Sequence, residues 1–238
     1  YGVYANVLGN DGGTIKPGRF QGRDVAVQNV YEAVGLHQAG KMTDAELHEL
    51  ECSACPGIGS CGGLFTANTM ASVSEAIGMA LPGSASPPAV DEDRLEVGRR
   101  TGQALMALVR RGIRARDIMT REAFENALAV VLSMGGSTNV ALHLPAMAHE
   151  IGIDFDLFDV AEIFKTTPYI ADLKPGGKYV AKDVFDIGGV PQILKAMLDG
   201  GYLNGDCLTV TGRTMAENLA HIAPPDPDDA RDLRAVTG

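Results

Sequence analysis

Apolar residues recur at helical spacing along most of the chain, and Gly or Pro interrupts the pattern between segments. Thr43 with Glu46 has the form of a capping box, and Thr120 is placed to act as an N-cap. Two short runs, 24–27 and 207–210, are β-like. The pattern therefore predicts a helix-rich α/β protein in layers. The predicted helices cover 28–38, 44–52, 64–81, 91–111, 121–132, 140–151, 159–166, 188–198 and 214–220.

The two ends of the chain lack this periodicity. Residues 1–13 are rich in Gly and Asn, which predicts a loop, and the segment from Pro224 is rich in Pro and Asp, which predicts a linker. The acidic residues Asp226, Asp228 and Asp229 are then a solvated face rather than metal ligands. We therefore expect one domain over 1–223 and a linker over 224–238.

Composition and charge narrow the classes of partner. The formal net charge is -10, and the basic run at 110–116 is short, which argues against nucleic-acid binding. The longest apolar runs, such as 127–134, are shorter than the ~20 residues of a membrane span, and no secretion leader is visible. A small-molecule ligand is the remaining expectation.

Three of the four cysteines, Cys52, Cys55 and Cys61, lie within ten residues of one another, which suggests metal chemistry. The glycines around Cys61 would let backbone N–H groups approach an anion or a sulfide, and the helix that follows should lower the pKa of a neighbouring thiol. Zinc is the weaker interpretation, because no second Cys or His pair is nearby. For Cys52 and Cys55 we favour small packed thiols near the site.

The segment 54–70 reads Ala-Cys-Pro-Gly-Ile-Gly-Ser-Cys-Gly-Gly-Leu-Phe-Thr-Ala-Asn-Thr-Met, and it resembles the cysteine motif of the dihydroxy-acid and sugar-acid dehydratase family. The similarity runs from Gly12 through nearly the whole chain. Further matching segments are 12–18 (Gly-Gly-Thr-Ile-Lys-Pro-Gly), 124–127 (Phe-Glu-Asn-Ala), 135–139 (Gly-Gly-Ser-Thr-Asn), 171–175 (Ala-Asp-Leu-Lys-Pro) and 205–212 (Gly-Asp-Cys-Leu-Thr-Val-Thr-Gly).

The resemblance implies a hydro-lyase that removes water from a 2,3-dihydroxy acid and gives a 2-keto acid, in valine and isoleucine biosynthesis. In that family a [2Fe-2S] cluster held by three cysteines accepts the departing hydroxyl, and Mg²⁺ chelates the carboxylate end. Cys61 matches the third cluster ligand. The resemblance also implies a layered N-terminal domain with short parallel strands, a homodimer, and a cytoplasmic protein, or one of an organelle matrix or stroma in a eukaryote.

Several family motifs do not occur in this sequence. They are the Cys-Asp-Lys motif with a cluster cysteine and magnesium ligands, the first cluster cysteine, and the Asp-Gly-Arg-Phe-Ser-Gly motif, whose serine is the proposed base of a C-terminal β-barrel domain. We therefore expect a part of a longer protein, with that barrel absent and no activity on its own. The catalytic base is not assigned to any residue here.

A second glycine segment leads into a helix at Ser137, Thr138 and Asn139, and it could present donors to a substrate carboxylate. An N-cap formed by Ser137 or Thr138 is an equal alternative. Asn68 and Thr69, on the helix after the cysteine loop, either line the site or serve packing and capping. Of the remaining candidates, His143 and His149 make a poor metal pair, and Cys207 is expected to be buried.

Three alternatives to a dihydroxy-acid dehydratase stay open at this point. The first, from the same family, is a dehydratase of a sugar acid such as an aldonate or 6-phosphogluconate. The second is a non-catalytic domain whose glycine loops bind an anion or a protomer. The third is a structural zinc module built on Cys52, Cys55 and Cys61.

Overall fold

The structure is a computed structural model, and it describes residues 13–223. The predicted linker from Pro224, with Asp226, Asp228 and Asp229, lies outside these residues, as does the predicted N-terminal loop apart from Gly13. In chain order the elements are β1 (Gly18–Phe20), β2 (Arg23–Val25), α1 (Val27–Gln38), α2 (Asp44–Ala54), α3 (Thr66–Ala76), α4 (Asp93–Arg111), α5 (Ala115–Ile118), α6 (Arg121–Ser133), α7 (Val140–Ile151), α8 (Leu157–Thr166), α9 (Ala181–Asp186), α10 (Val190–Asp199) and α11 (Met215–Leu219).

The predicted helices are all present, and their caps follow the sequence signals. Thr43 Oγ1 accepts a hydrogen bond from Glu46 N, while the Glu46 carboxylate accepts from Thr43 N, so the capping box is confirmed. Thr120 caps α6. Helix α3 is shorter than predicted, because Gly78, at a φ of 84°, turns the chain well before Pro82. The short helices α5 and α9 were not predicted.

The strand predictions need correction. The described residues contain one two-stranded sheet, and β1 and β2 pair antiparallel rather than parallel. The reason is the connection: Gln21 and Gly22, both at positive φ, form a two-residue turn that can only join antiparallel strands. The predicted strand at 207–210 is wrong. There Leu208 makes one isolated bridge to Thr214, and Val210 N donates to Gly78 O.

The main core surrounds α6, which is buried on nearly every side and packs closely along α3. Apart from Asn126, the residues of this helix that follow Glu125 are small or apolar around the whole circumference, as a central helix requires. A second, smaller cluster joins the β1–β2 hairpin to α1 and α2 through residues such as Phe20, Ala33 and Leu50. The cysteine loop connects the two clusters. No helix within residues 13–223 is long and apolar enough to cross a membrane.

Candidate cysteine-loop site

The loop 55–63 runs from the end of α2 to the start of α3, and neighbouring segments hold its second half in place. Ile15 N donates to Ser60 O at 2.8 Å, and Ser60 N donates to Gly13 O at 3.0 Å. On the other side, Ala181 N donates to Gly62 O at 2.8 Å. Backbone groups from two distant parts of the chain therefore fix the loop on either side of Cys61.

Two loop glycines are needed because other backbone comes too close for a side chain. Gly59 has a φ of 143°, and a Cβ there would lie 2.6 Å from Ile15 N. A Cβ on Gly63 would lie 2.9 Å from Lys174 O, the carbonyl that accepts from Leu64 N. These glycines therefore serve close packing of the loop.

Asn68, on the first turn of α3, links the cysteine loop to this helix through side-chain hydrogen bonds. Its buried side-chain amide donates to the carbonyl oxygens of Cys61 and Gly63, the latter at 2.7 Å. Its Oδ1 accepts from Ser60 Oγ at 2.8 Å, and Thr14 Oγ1 also donates to Cys61 O at 3.0 Å. The structure therefore gives Asn68 a defined contact role: it fixes the backbone on both sides of the Cys61 thiol.

The Cys61 thiol is half-buried, and its environment opposes ionisation. Burial raises its pKa above the ordinary value, while N–H groups of Gly63 and Gly62 that donate to the sulfur oppose the shift and the Cys55 thiol adds to it. The prediction of a lowered thiol pKa is therefore wrong for this chain, because the loss of solvation outweighs the backbone donors. Those donors nevertheless point at the sulfur, as they would for a bound thiolate.

Cys52 and Cys55 are exposed rather than packed, which corrects the interpretation of them as small buried thiols. Cys52 is on the outer side of α2, and its sulfur lies 3.7 Å from His48 Nε2. Among the described residues no three His, Cys, Asp or Glu side chains come together as a metal-ligand group. Cys61, half-buried and contacted by two backbone N–H donors, fits the role of a single cluster ligand.

The second glycine segment lies directly against the start of α3, beside the cysteine loop. Ser137 N donates to Thr69 Oγ1 at 2.9 Å, across 68 positions of sequence. Asn139 Nδ2 donates to Thr66 Oγ1 at 2.7 Å, and the Thr66 and Ser137 hydroxyls are 3.3 Å apart. We call Thr66, Ser137 and Asn139 the Thr66 cluster. The structure thus brings three of the predicted site residues, Ser137, Asn139 and Asn68, to one end of one helix.

Other candidates are placed differently. The N-cap position of α7 is Asn139 rather than Ser137 or Thr138, and Ser137 Oγ accepts instead from Asn139 N. Thr138 is exposed, with its carbonyl accepting from Ala141 N. The side chains of His143 and His149 are exposed. Cys207 is buried beside Asn126, as predicted.

Three residues of the site were not identified from the sequence. Thr14 and Thr66 hold the loop and the cluster as described, and Lys174 is a buried lysine whose Nζ donates to Asn29 Oδ1 at 2.9 Å. Each lies inside a segment that carries the family resemblance. Their position in those segments was the one sequence signal that could have identified them as site residues. Their contacts join residues far apart in the sequence, so local spacing does not predict them.

Comparison with known proteins identifies the family of the chain. The family model described as dihydroxy-acid/6-phosphogluconate dehydratase N-terminal matches residues 7–218. The dihydroxy-acid dehydratase of Parvibaculum lavamentivorans is 64% identical over 211 residues, which are 89% of this chain and 37% of that protein. Dihydroxy-acid dehydratase 2 of Mesorhizobium japonicum is 62% identical over 212 residues, 89% of this chain and 36% of that protein.

A more distant relative covers slightly more of the sequence. The dihydroxy-acid dehydratase of Mycobacterium tuberculosis is 56% identical over 229 residues, which are 94% of this chain and 40% of that protein. The chain thus spans well under half the length of the curated relatives it matches.

Proposed function

The chain belongs to the dihydroxy-acid/6-phosphogluconate dehydratase family, and from that premise we propose that it is the Cys61-bearing part of a dihydroxy-acid dehydratase. The whole protein would convert a 2,3-dihydroxy acid to a 2-keto acid by loss of water. The observation that carries the proposal is the Cys61 loop: one half-buried thiol, two N–H groups donating to its sulfur, and backbone fixed on both sides.

The reaction sets two demands. A weakly acidic C2 proton must leave, and a C3 hydroxide must depart and combine with a proton to give water and an enol that tautomerises to the keto acid. When bound, a [2Fe-2S] cluster and Mg²⁺ would supply Lewis acidity at the two ends of the diol. Cys61 would be one cluster ligand, and the remaining ligands of both groups would come from other parts of the protein.

The residues of this chain have distinct tasks in that scheme. Gly62 and Gly63 direct N–H groups at the Cys61 sulfur, which stabilises negative charge on it. Asn68 would hold the loop backbone through its hydrogen bonds to the Cys61 and Gly63 carbonyl oxygens. The Thr66 cluster presents hydroxyl and amide groups at the start of α3, where they would orient a hydroxyl or carboxylate of the substrate.

The finer features of the proposal follow the resemblance. They are a place in branched-chain amino-acid (valine and isoleucine) biosynthesis, a homodimer, and a cytoplasmic protein or one of an organelle matrix or stroma. The relatives reported above carry the dihydroxy-acid dehydratase name at 56–64% identity, which supports this branch over a sugar-acid dehydratase. A substrate panel of a branched 2,3-dihydroxy acid, an aldonate and 6-phosphogluconate separates the two.

The test uses the complete protein, reconstituted anaerobically with iron and sulfide. We expect visible cluster absorption and formation of a 2-keto acid, trapped as its hydrazone. Cys61→Ala should abolish turnover and weaken the absorption while the far-ultraviolet circular dichroism stays unchanged. The matched control is Cys52→Ala, the same change at an exposed cysteine, which should retain both properties.

Three results would overturn the proposal. Normal turnover by the Cys61→Ala protein would remove this thiol from the site. A second result is stoichiometric zinc without iron. If the Cys52 variant and the Cys61 variant each lost that zinc, the zinc module would be supported instead. An anion-binding domain without catalysis would give no keto acid from any member of the panel.

A further inference from the structure

The last turns of α2 carry a group of reactive side chains that the dehydration does not use. Cys52 and Cys55 are separated by two residues, which is the Cys-x-x-Cys spacing of redox-active dithiols. Both thiols are free and exposed. The proposed dehydration gives neither of them a task, so their chemistry remains to be explained.

His48 lies one helical turn before Cys52, on the same face of α2. Its Nε2 is 3.7 Å from the Cys52 sulfur, a hydrogen-bond distance for a thiol. On the other side of the ring, Nδ1 is 3.9 Å from a carboxylate oxygen of Glu51. In the tautomer with its proton on Nδ1, the imidazole can take the thiol proton at Nε2, and Glu51 then stabilises the imidazolium.

These contacts leave the group open to solvent. The side chain of His48 is 78% exposed and that of Glu51 is 48% exposed. Exposed pairs of this kind contribute only about 0–1 kcal/mol to stability, so packing does not account for the arrangement. The Cys52 sulfur is therefore a nucleophile with an adjacent base, and a reactant from solution can reach it.

Cys55 is placed to complete a disulfide with Cys52. Side chains three positions apart on a helix have Cβ atoms about 5–6 Å apart, whereas a disulfide requires about 3.5–4.5 Å. Cys55 is the C-cap residue of α2, and its φ of -132° and ψ of 73° lie outside the helical range. The remaining gap can therefore close by rotation about the backbone of this one residue, without unwinding the rest of α2.

We propose that Cys52, His48 and Cys55 form a thiol–disulfide exchange site for a low-molecular-weight disulfide. His48 takes the Cys52 proton, and the Cys52 thiolate attacks one sulfur of the small disulfide. That S–S bond breaks, and the first small thiol leaves with the proton held by His48. The Cys55 thiol then attacks the Cys52 sulfur of the mixed disulfide, and its proton leaves with the second small thiol. The two cysteines are together oxidised by two electrons, and the small disulfide is reduced by two.

The exchange site adjoins the cysteine loop but uses different residues. Cys55 is the first residue of the loop 55–63, whereas Cys61 is half-buried and lies six positions further along the chain. No residue of the Thr66 cluster takes part. The exchange proposal can therefore fail its test while the dehydratase proposal stands, and the reverse also holds.

The test uses the full 238-residue chain, reduced and then treated anaerobically with oxidised glutathione. Free thiols are alkylated, the disulfides are reduced, and the newly freed thiols receive an isotopically heavy form of the same reagent. We expect peptide mass spectrometry to find the heavy label on Cys52 and Cys55. Cys61 and Cys207 should carry the light label. In Cys55→Ser the reaction should stop at the mixed disulfide, so that glutathione stays on Cys52.

Histidine variants separate activation of the thiol from mere exposure. In the Cys55→Ser background, His48→Ala should slow the attachment of glutathione to Cys52 about tenfold, because it removes the base. Glu51→Gln should have a smaller effect in the same direction. His149→Ala is the matched control: it removes an exposed histidine from another helix and should leave the rate unchanged.

The exchange site is refuted by any of three observations. Heavy label on Cys61 in place of Cys55 would show that a different pair forms the disulfide. A mixed disulfide that persists on Cys52 in the unaltered chain would show that Cys55 does not displace the bound thiol. Equal rates in the His48→Ala and His149→Ala proteins would show that Cys52 reacts only because it is exposed.

Discussion

The substitution Asn68→Ala tests whether one buried amide holds the cysteine loop. The change removes the donor to the Cys61 and Gly63 carbonyls and the acceptor for Ser60 Oγ. The Cys61 carbonyl keeps Thr14 Oγ1 as a partner. The Gly63 carbonyl keeps no other donor among the described residues. One unsatisfied buried carbonyl and the lost hydrogen bonds together should lower the free energy of unfolding by about 2–4 kcal/mol.

The assay is urea unfolding followed by circular dichroism, in which such a loss shifts the midpoint by roughly 1 M. Asn139→Ala is the control, because it removes an exposed amide with a single side-chain partner and should change stability by no more than about 0.5 kcal/mol. Alkylation of Cys61, followed by peptide mass spectrometry, should become faster only in Asn68→Ala. Equal stability and equal alkylation rates in the two variants would refute the reasoning.

Three further predictions concern groups around the site. Burial raises the pKa of Glu75 from 4.5 to about 7, so folding favours its protonated form. The free energy of unfolding should therefore fall by about 3 kcal/mol as pH rises from 4.5 to 7 and then level off. Glu75→Gln should flatten this dependence of the urea midpoint on pH. Gly136→Ala places a Cβ 2.5 Å from Val131 Cγ1 and should lower thermal stability by about 1–3 kcal/mol, whereas Gly35→Ala, in open space on α1, should be neutral or stabilising. Thr69→Val keeps the shape but removes the hydroxyl bonded to Leu64 O and Ser137 N, and calorimetry should show a loss of about 2 kcal/mol. An unchanged melting temperature would show that water replaces both bonds.

The polar character of α3 explains why the site is sensitive to such changes. Asn68, Thr69, Ser72 and Glu75 are buried on this helix, where apolar side chains would be the usual choice. Each has a defined partner, such as the backbone N–H groups of Gly83 and Ala85 for the Glu75 carboxylate. A buried polar network of this kind fixes one arrangement of the loops and loses stability when a member is removed.

Local signals were enough to predict most helices. The capping box at Thr43 and the N-cap at Thr120 depend on contacts within three residues, so the sequence alone determines them. The cysteine motif could likewise be identified from the sequence, because it is one continuous segment. The parallel strands that the resemblance implies are wrong for the described sheet, because the two-residue turn at Gln21 and Gly22 enforces an antiparallel hairpin.

Tertiary structure alone decided what surrounds the Cys61 sulfur. The sequence predicted a lowered thiol pKa from the nearby helix, but in the folded chain burial raises this pKa and outweighs the N–H donors of Gly63 and Gly62. The sequence also left Ser137 and Asn139 open between two roles, and only folding places them against Thr66 and Thr69. Helix periodicity and caps depend on residues only a few positions away. The solvation of a side chain and its hydrogen-bond partners depend instead on residues distant in sequence that pack against it. No local pattern encodes which distant residues these are.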